Sequence, residues 1–214
     1  MFSKQFVAYS DTGYDIIFMF DGTVNNRYFG WMQNFAHNFA SQMDIDSGEF
    51  RVGAMTFNRG QNLVFNLNDN GWQSEVMQGL KSKTRNTPGG KPDLAGAFDY
   101  VRNNMFTNRR GDRPNARNFV IMMTANEESL NSGAAIGASQ RLQNEGTGIF
   151  TIGFNLGNTD ELDAVTTHPL DQYQYLINEE SGLQELPGII GYHFSNAAPV
   201  TLPPPTTPRP TGLH

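Results

Sequence analysis

Five stretches of the chain are apolar almost without interruption and end in turn residues: Tyr14 to Phe20, Phe50 to Phe57, Phe119 to Thr124, Gly148 to Phe154 and Tyr173 to Ile177. A strand that reads as an unbroken apolar run, instead of alternating apolar with polar, is one buried on both faces. Between the first two runs, Met32, Phe35, Ala36, Phe39 and Met43 recur at three- and four-residue steps and so share one face of a helix. Leu94, Ala97, Phe98, Val101 and Met105 repeat that pattern before the third run, and Ala135, Ala138 and Leu142 do so before the fourth.

Strands alternating with covering helices predict an α/β fold: a doubly wound, mostly parallel, Rossmann-like sheet with helices on both faces. Right-handed crossovers then place ligand sites at the carboxyl ends of the strands. The segment Leu63 to Leu67 follows the second run through Asn58-Arg59-Gly60 and is expected to return as one antiparallel edge strand. The organisation expected is a lead-in over 1–13, one domain over 14–195, and a Pro- and Thr-rich tail or linker over 196–214.

Composition narrows the function. With 15 Lys and Arg against 21 Asp and Glu, the chain offers a phosphate backbone little to bind, so nucleic acid is not an expected partner. The absence of Cys excludes disulfide scaffolds, thiolate zinc sites and cysteine nucleophiles. No run reaches the roughly 18 consecutive apolar residues of a membrane span, and the start carries no long apolar signal-peptide region. His37, His168, His193 and His214 lack metal-ligand spacing, and there is no Gly-X-Ser-X-Gly elbow or phosphate loop. No catalysis is expected.

The run Asp15-Ile16-Ile17-Phe18-Met19-Phe20-Asp21-Gly22-Thr23-Val24-Asn25 resembles the first strand and adhesion loop of the von Willebrand factor type A family, an apolar strand followed by Asp-X-Ser-X-Ser. Further matches follow in order. Phe50 to Phe57 resembles the second strand, and Gly89-Gly90 with Ala97 to Val101 the start of the third helix. Gly111 with Arg113-Pro114 and Phe119 to Thr124 resemble the fourth strand and the loop before it, and Ile149 to Phe154 with Gly157-Asn158 the fifth. The stretch Glu161-Leu162-Asp163-Ala164-Val165, followed by His168-Pro169, is similar to the matrilin and collagen VI branch.

The resemblance implies a divalent cation site at the carboxyl end of the sheet, built from the Asp-X-Ser-X-Ser loop, a Thr before the third helix and an Asp after the fourth strand. Hard cations of this kind need several oxygen ligands. Asp21, Thr23 and Asn25 match the loop. The same alignment puts Pro92 where the ligating Thr belongs and Ala125 where the second Asp belongs, and neither has a side-chain oxygen. The expectation is a degenerate adhesion site, with no cofactor beyond a weak residual divalent affinity. Its face would comprise Asp21, Thr23, Asn25, Lys91, Pro92, Asp93, Ala125 and Asn126.

Several alternatives stay open at this point. A shift of one or two residues brings Asp93 or Asn126 into range of the site, and a rearranged cation site could use Asp93, Glu127 or Glu128. The ammonium of Lys91 could neutralise Asp21. Asp21, Thr23 and Asn25 also suit local turns and helix caps. Arg110-Gly111-Asp112 spells a tripeptide that integrins read, within a connector that the family resemblance also explains.

The resemblance implies a secreted, extracellular matrix or adhesion module. It would bind a matrix protein such as a collagen-like chain, or a matrix polymer, without metal or membrane insertion, with self-association left open. A metal-dependent receptor domain and an intracellular scaffold of the same fold are the alternatives.

Overall fold

The computed structural model describes residues 13–196. Six strands form one sheet: β1 (Tyr14–Asp21), β2 (Phe50–Phe57), β3 (Gln61–Phe65), β4 (Arg117–Thr124), β5 (Gly148–Phe154) and β6 (Gln174–Ile177). Their spatial order is β3-β2-β1-β4-β5-β6, with β3 antiparallel to β2 and every other pairing parallel. The two most interior strands, β1 and β4, are flanked on both sides, and all eight residues of β1 are buried. This is why its sequence shows no polar alternation.

The pleat of β1 divides the core in two. Ile16, Phe18 and Phe20 enter one apolar cluster, shared with α1 (Asn26–Ala40), α2 (Gln73–Ser82) and α7 (Leu186–Asn196). Ile17 and Met19 enter the other, shared with α3 (Leu94–Tyr100), α4 (Ser132–Asn144) and α5 (Asp160–Val165). In α1 the predicted stripe is buried, with Met32, Phe35, Ala36 and Phe39 inaccessible to solvent. Helix α3 runs into a π-turn over Val101–Met105, which keeps Met105 in the core although the α-helical hydrogen bonding has ended.

Several bounds depart from the sequence expectation: the edge strand expected over Leu63 to Leu67 is β3 at Gln61–Phe65, and β4 starts at Arg117, two residues before the expected Phe119. Tyr173 closes a one-turn helix, α6 (Leu170–Tyr173), so β6 begins at Gln174. Helix α7 continues through Asn196, one residue into the segment assigned to the tail; the remainder of that segment, like residues 1–12, lies outside the described residues. At the amino end of the sheet, Phe194 of α7 packs 4.5 Å from the Phe119 ring and 5.2 Å from Phe150. This seals the bottom of the sheet and leaves the carboxyl ends of β1, β4 and β5 to the loops.

Candidate functional site

At the carboxyl ends of β1 and β4 the chain turns away from the sheet, and the two resulting loops meet at Asp21. The last residue of β1 is fully buried, and its carboxylate accepts four hydrogen bonds. Oδ1 takes the backbone N–H of Thr23 at 2.9 Å and the Thr23 hydroxyl at 2.7 Å. Oδ2 takes the Thr124 hydroxyl at 2.6 Å and the Asn126 amide nitrogen at 2.7 Å. The same nitrogen donates to Thr23 Oγ1 at 2.8 Å, and the Asn126 backbone N–H donates to Thr124 Oγ1 at 2.9 Å. A carboxylate has about four lone-pair positions, so protein donors fill Asp21.

The neighbouring loop is pinned to this cluster through its backbone. Thr87 N–H donates to Gly22 O at 2.7 Å and Gly89 N–H to Thr23 O at 2.8 Å, while the Pro92 carbonyl receives Leu130 N–H at 2.9 Å. Position 92 therefore lies beside the β4–α4 loop, as the family resemblance requires, but brings only a carbonyl that is already engaged.

The other candidates do not join the cluster. Asn25 is exposed and caps α1, its side-chain oxygen accepting Tyr28 N–H at 3.1 Å. Asp93 caps α3 through Gly96 N–H at 2.9 Å and also accepts the Gln61 amide at 3.0 Å. Lys91 does not neutralise Asp21. Its ammonium pairs with exposed Glu128 at 2.5 Å, a geometry that requires no desolvation of either charge. Glu127 accepts the backbone N–H groups of Gly157 at 2.8 Å and Asn158 at 3.2 Å, tying the β4–α4 loop to the β5–α5 loop. Among the described residues no group of three or more His, Asp or Glu side chains is placed to hold a metal ion.

Arg110-Gly111-Asp112 lies at the opposite, amino end of the sheet. Gly111 is buried in a left-handed conformation with φ of 96°, and its carbonyl accepts Arg51 Nη1 at 2.8 Å. The Asp112 carboxylate accepts the Asn118 amide at 2.9 Å. Partial burial pushes its pKa above the usual carboxylate range, and the Asp15 charge acts in the same direction.

One residue that sequence reasoning used only as a family marker has a definite structural role. Glu161, in the first turn of α5, is buried, and its Oε2 accepts Ser129 N–H and the Ser132 hydroxyl, both at 2.7 Å. Glu161 Oε1 and Ser129 Oγ have no partner, and both residues line a cavity of about 20 Å³ beside Thr124 and Asn126. The only available sequence signal was an acidic residue in a helix's first turn, which is common for electrostatic reasons alone.

The von Willebrand factor type A domain model matches residues 15–188. The chain belongs to that family. The domain is 26% identical over 163 residues to the human collagen alpha-6(VI) chain, an alignment that covers 74% of this chain and 7% of that protein. It is 25% identical over 176 residues to bovine vitrin, covering 80% of this chain and 26% of the relative. To mouse integrin alpha-2 it is 24% identical over 178 residues, covering 78% and 15%. Among solved structures, proximal thread matrix protein 1 of the mussel byssus has the same fold, with a TM-score of 0.75 and 23% identity. That match covers 85% of this chain and 47% of the other. A further structure of the same mussel protein has a zinc-occupied adhesion motif, with 22% identity and a TM-score of 0.75 over 86% of this chain and 48% of the other. The domain thus spans only a small part of the curated relatives, one module's length within much longer chains.

Positions 92 and 125 supply no side-chain oxygen, Asn25 is spent on a helix cap, and the remaining carboxylate is saturated and closed to solvent.

Proposed function

We propose that the domain is a non-enzymatic extracellular matrix or adhesion module. In this reading it binds a matrix protein, such as a collagen-like chain, through the loops at the carboxyl end of its sheet and without a divalent cation. The observation that carries the metal-free part is the Asp21 carboxylate, which is buried and holds four protein hydrogen bonds. A partner's carboxylate bridging through a metal would need that group open. The matrix setting is supported by the relatives, which include collagen VI chains and vitrin. The low share of Lys and Arg and the lack, among the described residues, of a helix able to cross a membrane agree with a protein ligand.

What the carboxyl end exposes to a partner is mostly polar, Asn25, Lys91 paired with Glu128, and Asn158, with Leu130 of the β4–α4 loop as an exposed apolar side chain among them. Surfaces of this kind make wet, hydrogen-bonded contacts, with Leu130 the apolar side chain on offer. The test is binding of the purified domain to immobilised fibrillar and type VI collagens in EDTA and in magnesium. Asn158→Arg on the carboxyl-end loops and Asn115→Arg at the amino end would be compared with the unaltered chain. The reading expects equal binding in the two buffers and a loss confined to Asn158→Arg. Binding that requires magnesium, or that is lost only with Asn115→Arg, would sink it.

A further inference from the structure

We infer that the side-chain amide of Asn126 takes the place a divalent cation holds in metal-binding members of the family, its two hydrogens serving the oxygens of Asp21 and Thr23 that an ion would draw on. The inference rests on the metal-free reading above and assigns that place to a residue that the family alignment passes over, since the alignment puts Ala125 where the second carboxylate belongs.

The directions of the hydrogen bonds leave a single arrangement. Asp21 is acceptor-only when ionised. The Thr23 hydroxyl gives its proton to Oδ1 and the Thr124 hydroxyl gives its proton to Oδ2. Thr23 Oγ1 is then left with lone pairs alone, and it converges with Asp21 Oδ2 on the same point. Two acceptor oxygens facing one position call for a donor with two hydrogens there. The Asn126 nitrogen provides it, with one hydrogen for Asp21 Oδ2 at 2.7 Å and one for Thr23 Oγ1 at 2.8 Å. The amide oxygen cannot occupy that position, because it would confront two acceptors. The backbone reinforces the choice: Asn126 N–H donates to Thr124 Oγ1, which fixes the residue with its side chain turned into the cluster.

These separations are ordinary for N–H···O bonds and longer than the roughly 2.0 to 2.1 Å of magnesium–oxygen contacts. Asn126→Asp removes both donors and adds a carboxylate facing Asp21 across hydrogen-bond distance. Like charges this close disfavour each other, and a small cation drawing on the new carboxylate, Asp21, Thr23 Oγ1 and Thr124 Oγ1 relieves the repulsion. Asn126→Ala removes the donors without adding charge and gives a cation nothing new to bind.

The experiment is thermal unfolding of the chelated wild-type chain, Asn126→Asp and Asn126→Ala, each titrated with magnesium and manganese, with manganese stoichiometry measured by calorimetry. The wild-type midpoint is expected to stay fixed. The Asn126→Asp midpoint should start below it and climb by several degrees with one manganese bound, and Asn126→Ala should be lowered and unresponsive. If Asn126→Asp does not fold without metal, refolding on manganese addition supports the inference and failure to refold counts against it. A wild-type midpoint that rises with either metal, or a folded Asn126→Asp that ignores both, overturns it. Because no matrix partner enters the measurement, failure of collagen binding leaves this result standing; a wild-type midpoint that rises with metal overturns the metal-free reading together with the inference, whereas a folded Asn126→Asp that ignores both metals overturns the inference alone.

Discussion

Arg113 clamps Asp15 from 98 positions away in sequence: its backbone N–H reaches Oδ2 at 2.7 Å and its Nε reaches Oδ1 at 2.8 Å. The same guanidinium holds the carbonyls of Gly48 at 2.7 Å, Tyr14 at 2.9 Å and Glu49 at 3.1 Å. Asp15 is fully buried, so the pair locks the start of β1 to the loops before β2 and β4. Arg113→Ala strands a buried carboxylate and should cost about 3 to 5 kcal/mol in urea unfolding. Arg113→Lys retains the charge but not the fork and should recover only part of that stability. An Arg113→Ala loss below about 1 kcal/mol, the usual worth of an exposed pair, would contradict the clamp.

Glu161 accepts a buried backbone N–H from Ser129, and its other oxygen faces the small cavity without a partner. A cavity of that size and polarity accommodates one ordered water. A crystal structure at high resolution should show a water bonded to Glu161 Oε1 and Ser129 Oγ. Glu161→Ala should cost about 1 to 3 kcal/mol, because Ser129 N–H is orphaned. Glu161→Gln keeps an acceptor for that N–H and should cost less. Equal losses in the two variants would show that the Ser129 bond is not what matters.

Asn25 serves α1 as a cap. Asn25→Ala should lower stability by about 0.5 to 2 kcal/mol and leave collagen binding and metal response unchanged. A change in metal response with no change in stability would return Asn25 to the ligand set.

Burial raises the Asp112 pKa in the folded state, so the folded chain holds this proton to higher pH than the unfolded chain does. Stability tied to Asp112 therefore falls as pH rises through the window from about 4 upward, toward the folded pKa. Asp112→Asn has no proton to lose there and should gain stability relative to wild type as pH rises through that window. Parallel pH profiles for the two chains would show that Asp112 is not strained by its burial. Cell attachment through Arg110-Gly111-Asp112 can be read from the same variant: loss of attachment with Asp112→Asn supports integrin use, and its persistence rejects it.

The fold was legible because periodicity reports burial directly. Runs such as Ile16 to Phe20 have to be covered on both faces, and the Met32–Phe35–Ala36–Phe39 stripe has to cover something. Helix α2 escaped that reading because it buries only Val76, Gly79 and Leu80, too sparse a stripe to show a period. Helix α7 escaped it because Pro187, Gly188 and Gly191 are poor helix formers, and packing of Leu186, Ile190 and Phe194 against the sheet overrides their propensity. That positions 92 and 125 carry no side-chain oxygen was equally plain, since they are Pro and Ala. Sequence alone thus determined the layered sheet and the family, both of which follow from side-chain chemistry and spacing. Only the tertiary structure decided which side chain meets Asp21. Lys91 and Asn126 were both within chain reach of Asp21, and the choice between them depends on three-dimensional direction: the exposed ammonium turns to Glu128 in water, while the amide turns inward, where two converging acceptors need its two hydrogens.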